Sequence, residues 1–79
     1  MRYKSLRFFE KLIGQKRRFL VNYVLPKFED IFYAEIKEVH ENYLIVEQKY
    51  IRTDEEYNEE QITQKRKLDN GLFELLDIK

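Results

Sequence analysis

Residues 31–51, IFYAEIKEVHENYLIVEQKYI, restrict the fold more than any other stretch of this chain. Phe32, Ala34 and Ile36 alternate with Tyr33, Glu35 and Lys37, a period of two that sends the two sets to opposite faces of a strand. The polar cluster His40-Glu41-Asn42 follows, then the β-branched and aromatic run Tyr43-Leu44-Ile45-Val46. Two such runs about a short polar break read as a β-hairpin. A helical reading competes with it. Phe32, Ile36, Val39, Tyr43, Val46 and Tyr50 fall at spacings of 4, 3, 4, 3 and 4, a heptad seam that would give an all-α helical hairpin or coiled coil. Leu44, Ile45 and Ile51 lie off that seam, so the helix would be apolar nearly all round at 43–46. β-Branched and aromatic residues suit a pleated surface better, and the hairpin is preferred.

The flanking segments fit the hairpin. Residues 5–14 suggest a short helix: Ser5 can cap it, Leu6, Phe9 and Ile13 share a face, and Gly14 stands where a C′ glycine belongs. KRRFLVNYVL (16–25) is apolar from Phe19 to Leu25 except for Asn22, which favours a strand. Residues 26–30, from Pro26 to Asp30, read as a loop; in the helical alternative Pro26 opens a long second helix. Residues 52–60 hold five acids and should form an exposed loop. Ile62 to Leu68 alternates as a polar edge strand, and Asn70-Gly71 is the strongest tight-turn signal in the chain. A tight turn there would set Leu68 against Phe73 and Lys67 against Glu74, with 72–78 as the closing strand. The expected architecture is mainly β: one domain over 1–79, a short N-terminal helix and five strands.

Charge adds an asymmetry that the zero net value hides. Residues 1–27 carry eight Lys/Arg against one acid, residues 28–64 three bases against eleven acids, and residues 65–79 four against three. Such polarity pairs off internally, makes a two-faced molecule, or lets copies associate. There is no cysteine, which removes disulfides, thiolate catalysis and Cys-based metal sites and fits a reducing interior. The longest apolar runs are far shorter than the roughly 20 residues needed to span a bilayer. No signal-peptide pattern is present, so a cytoplasmic protein without a membrane partner is expected.

The order of a helix followed by five strands resembles the Sm-like fold, the SH3-like small barrel of Sm, LSm and bacterial Hfq proteins. The resemblance rests on FFEKLIGQKRRFLV, where the helix runs into strand one, on FYAEIKEVHENYLIVE across strands two and three, and on RKLDNGLFELLDI before the closing strand. It implies a five-stranded barrel and nucleic-acid binding, RNA above all. The glycine usual in strand two is Ala34 here, the family's Asp near its end is matched at best by His40, and the second family motif is absent. Ring assembly and uridine recognition are therefore not carried over.

Two basic clusters, Lys16-Arg17-Arg18 and Lys65-Arg66-Lys67, offer charge for phosphates, with aromatic residues nearby for bases, and are the candidate RNA or DNA contacts. In an Sm-like barrel strands one and four both border strand five, so the resemblance implies that the clusters converge. The acidic stretch Asp54, Glu55, Glu56, Tyr57, Glu59 and Glu60 is the alternative site, for a basic protein partner, in a small adaptor or inhibitor of the kind mobile elements encode. Solvation alone also accounts for both sets of charges. His40 is the only histidine and has no company for a zinc site, and the acidic stretch lacks a calcium-loop pattern, so neither metal nor cofactor is expected. With Ser5 the only serine and no glycine-rich phosphate loop, the sequence argues against an enzyme. Phe19-Leu20-Val21 and 43–46 would be apolar on both faces, which points to a homo-oligomer, most simply a dimer, through Tyr23, Tyr43 and Ile45.

Overall fold

A computed structural model describes residues 5–23 and 28–77, with all their side chains except those of Tyr23 and Phe28. The chain is mainly β. A 3₁₀ helix, Arg7–Leu12, leads into five strands: β1 Lys16–Tyr23, β2 Phe28–Val39, β3 Tyr43–Thr53, β4 Glu59–Asp69 and β5 Phe73–Leu75. All neighbours pair antiparallel in one sheet of order β4-β3-β2-β1-β5. Among the described residues there is no helical bundle, and no helix is long and apolar enough to cross a membrane. The sheet is compatible with a small barrel.

The period-two pattern decides which face is buried. Phe19 and Val21, Phe32, Ala34 and Ile36, Leu44 and Val46, and Leu68, Phe73 and Leu75 all point inward with Leu6 and Phe9. Phe19 stacks on Phe32 at 6.0 Å and meets Phe73 edge-on at 6.0 Å, a ring cluster that ties β1 to both its neighbours. Lys37 is an extra residue between the pairs Ile36↔Val46 and Glu38↔Ile45, a bulge that bends β2 and returns Val39 to the inner face. The break at 40–42 closes with His40 N–H donating to the Tyr43 carbonyl at 2.9 Å.

Three local expectations are corrected. The short N-terminal helix forms as a 3₁₀ helix, and at three residues per turn it aligns Leu6, Phe9 and Leu12 on the core, so Ile13, expected on that face, is exposed. Ser5 Oγ accepts from the Arg7 N–H at 3.3 Å, and Gly14 takes the expected positive φ of 88°. Of the expected loop 26–30, residues 28–30 belong to β2, while Pro26 and Lys27 lie outside the described residues. Finally, Asn70-Gly71 does not make a β4–β5 hairpin. Only Gly71 has positive φ (87°), whereas a type I′ hairpin turn needs it at both central positions. The Leu72 N–H still closes the turn on the Asp69 carbonyl at 3.0 Å, but the chain then crosses to β1, where Phe19↔Leu75 and Val21↔Phe73 pair. The pairs Leu68/Phe73 and Lys67/Glu74 do not form, and β5 is three residues long.

Candidate functional site

β3 and β4 pair along their whole length, from Tyr43↔Asp69 to Thr53↔Glu59. β2 and β3 pair only from Val39↔Leu44 to Glu35↔Glu47. Beyond Glu47, therefore, β3 and β4 leave the sheet as a two-stranded arm, while the first half of β2 stays with β1. The result is a fork. Antiparallel residues alternate the side to which their backbone groups point. Ile36 exchanges bonds with Gly14 and Gln15, so even-numbered β2 residues face β1, and the N–H and C=O groups of Glu29, Ile31 and Tyr33 face the fork. Asp54 N–H bonds to the Asn58 carbonyl, so on β3 Lys49, Ile51 and Thr53 face the fork from the other side. Among the described residues no ladder partner meets either edge.

The side chains of these residues lie on the outer face. Ile31, Tyr33 and Ile51 are exposed at 49, 56 and 65%. Two adjoining depressions of about 540 and 580 Å³ share Lys16 and Lys49; one is completed by Tyr50, Ile51, Glu59 and Gln61, the other by Ile31, Phe32, Tyr33 and Gln48. The Arg18 guanidinium lies 6.0 Å from the Tyr33 ring centre. On the inner face Arg66 reaches across from β4, donating to Asp30 on β2 at 3.0 Å and to Gln48 on β3 at 3.4 Å, with its guanidinium 3.9 Å above the Phe32 ring. One side chain thus spans the gap that the ladder leaves open.

The basic clusters do not merge. On the outer face Lys16, Glu35, Glu47 and Lys65 form one row across four strands, so two carboxylates stand between the two clusters. Glu35 holds Lys37 at 2.9 Å. That hydrogen bond, more than the charges of Lys37 and Lys49, keeps the Glu35 carboxyl below its ordinary value and raises the Lys37 ammonium. Around the other side β4 approaches the far end of β1: residues 64–69 border a depression with Val21, Asn22 and Leu72. Asn22 is four residues beyond Arg18, about 13 Å along the strand. Arg17 faces inward and donates to Gln15, while Lys67 sits 4.6 Å over the Tyr43 ring and 3.7 Å from Asp69.

The acidic stretch is the tip of the arm, and its loop is shorter than the composition suggests. Arg52, Thr53, Glu59 and Glu60 are in the strands, with Arg52 and Glu60 paired at 2.9 Å. The turn is a type I form from Asp54 to Tyr57, closed by the Tyr57 N–H on the Asp54 carbonyl at 3.1 Å. Tyr57 follows in the left-handed region at φ 64°, 87% exposed, in the position that hairpins of this type give to glycine. The Asp54 carboxylate accepts from the N–H groups of Glu56 and Asn58, each at 2.9 Å. The Asn58 bond is the largest cause of its lowered pKa, burial opposes it, and the Glu56 bond adds to it.

Of the remaining candidates, His40 stacks on Tyr43 at 4.3 Å with Nε2 2.9 Å from Glu38. Tyr43 thus already carries His40 on its ring and Lys67 beside it, Ile45 is half-buried between Glu38 and Lys67, and Tyr23 ends β1. No group of three or more His, Asp or Glu converges as a metal set among the described residues. The sequence reasoning missed Ile31, Tyr33, Lys49 and Ile51. For Ile31, Tyr33 and Ile51 the signal was large hydrophobic residues on the outer phase of two strands, exposed in the structure. Comparison with protein-family models, with curated proteins and with solved structures finds no match to this chain.

Proposed function

We propose that this chain is a non-enzymatic protein-interaction module that takes its partner along the fork between β2 and β3. The observation that carries this reading is the coincidence of two unpaired strand edges with exposed Ile31, Tyr33 and Ile51. Aliphatic side chains and open backbone groups suit a polypeptide partner, whereas phosphates are held by converging cations. Here Arg66 is committed to Asp30 and Gln48, and Glu35 and Glu47 divide the remaining basic residues. The arm tip, with Asp54, Glu55, Glu56, Tyr57, Glu59 and Glu60, extends the same module toward a basic surface on the partner. A photo-crosslinking residue in place of Ile51, with one in place of Lys11 as control, tests the reading. A nuclease-resistant protein adduct specific to the Ile51 position is expected. Adducts to nucleic acid alone, or none above the control, overturn it.

A second reading, an Sm-like barrel that binds single-stranded nucleic acid, draws support from the placement of β1 between β2 and β5 and from Arg18 over the exposed Tyr33 between Lys16 and Lys49. Aromatic faces flanked by cations are the usual platform for unpaired bases. Titration with short RNA and DNA at two salt concentrations decides it: saturable, salt-dependent binding lost in Tyr33→Ala favours this reading, and no saturable binding at low salt removes it.

A further inference from the structure

We propose that the fork is an acceptor site for an added β-strand, and that the occupant is an extended peptide carrying at least one carboxylate among apolar residues. This rests on the protein-interaction reading and names its mode and its ligand. The unpaired groups are backbone donors and acceptors of Ile31 and Tyr33 on one side and Lys49 and Ile51 on the other. Only a second backbone, with its regular alternation of N–H and C=O, matches such edges along their length. Either edge can start the pairing, and a strand of about six residues covers it.

The side chains around the fork set the peptide's composition. On the outer face, alternate residues of the added strand meet Ile31, Tyr33 and Ile51, which call for apolar partners. Lys16 and Lys49 border both depressions there, and Glu59 lies on the rim of only one. A carboxylate between the two lysines gains a charge-assisted hydrogen bond that an amide does not. On the inner face the strand passes over the Arg66–Asp30–Gln48 bridge, so small or polar residues fit that side. The bridge fixes the separation of the two edges before any ligand arrives, which lowers the ordering cost of binding. An outer sheet edge would be the usual site of such addition. Here the free edges lie inside the sheet order, between β2 and β3.

The probe is a soluble peptide, Val-Ser-Glu-Ser-Val-Ser, which as a strand sets valine and glutamate on one face and serine on the other, titrated into the ¹⁵N-labelled full chain. Two control peptides accompany it: one with glutamine for glutamate, the other with every amide N-methylated so that neither backbone edge can donate. Saturable binding is expected, with exchange of the Ile31 and Tyr33 or the Lys49 and Ile51 amides slowed at least about tenfold. Binding should weaken several-fold with the glutamine peptide or in Lys49→Gln, and disappear with the N-methylated peptide. Equal binding of the N-methylated peptide, shifts confined to the arm tip, or no saturable binding overturns strand addition. Protection that rises with protein concentration without peptide assigns the fork to a second copy of this chain and also overturns it. The crosslink at the Ile51 position does not depend on the peptide chosen, so it separates failure of this mode from failure of the protein-binding reading.

Discussion

At the residue scale, Arg66 and Tyr57 are the positions where local chemistry runs against the simplest reading of type. Arg66 stands in a basic triplet, yet it shares the inner phase of β4 with Leu68, and its side chain is only 15% exposed. It belongs to the alternating set Ile62, Gln64, Arg66, Leu68, whose last member is buried. Residue type suggested a ligand contact; in the structure its guanidinium bonds to Asp30 and Gln48. Arg66→Ala is expected to cost about 1–3 kcal/mol through lost cover of Phe32 and unpaired Asp30 and Gln48, and Arg66→Lys to recover little because an ammonium cannot span both partners. Urea unfolding checks both; an unaffected midpoint in Arg66→Ala contradicts the bridge. Tyr57 works in the opposite sense. A bulky residue in the left-handed region is strained, and this one is 87% exposed, so little packing offsets the strain. Tyr57→Gly should therefore stabilise the chain by roughly 0.5–1 kcal/mol, read as a higher thermal midpoint, while removing the most exposed aromatic ring of the tip.

At the element scale, the arm was half legible. The Tyr43–Val46 run and the acidic composition were both clear in the sequence, but acids read as a loop because their repulsion favours solvent. Residues 52–53 and 59–60 are in strands nonetheless, since each is paired across an arm that solvent reaches on both sides. The turn at Asn70-Gly71 was legible as a turn and illegible as a connection, because its outcome depends on a single φ at Asn70. Asp54 gives the arm a pH dependence. Its folded pKa is depressed, so the loop's stabilisation is present above the unfolded value of about 3.9 and is lost as pH falls through the lower folded value. The amide shifts of Glu56 and Asn58 should titrate together with a midpoint below the ordinary aspartate range, and should stop titrating in Asp54→Asn. A midpoint at or above that range contradicts the hydrogen-bonded tip.

At the scale of the whole molecule, the fold class followed from period-two patterning, and the open fork did not. Each strand's phase is a local property, whereas the point at which two strands separate depends on the bulge at Lys37, the curl of the sheet and the Arg66 bridge. The molecule is 47 × 30 × 22 Å in extent, elongated for a chain of this size, with the arm beyond Glu47 standing clear of the buried cluster. The open fork is the premise of both the proposed function and strand addition, so native-state hydrogen exchange on the free protein is the most direct measurement. Phe32, whose N–H faces β1, and Tyr50, whose N–H faces β4, should exchange slowly. Ile31, Tyr33, Lys49 and Ile51, their immediate neighbours, should exchange at least about tenfold faster, giving an alternation along both edges of the fork. Uniform protection along 29–33 and 49–53 at low protein concentration would mean that the β2–β3 ladder continues and that no fork exists.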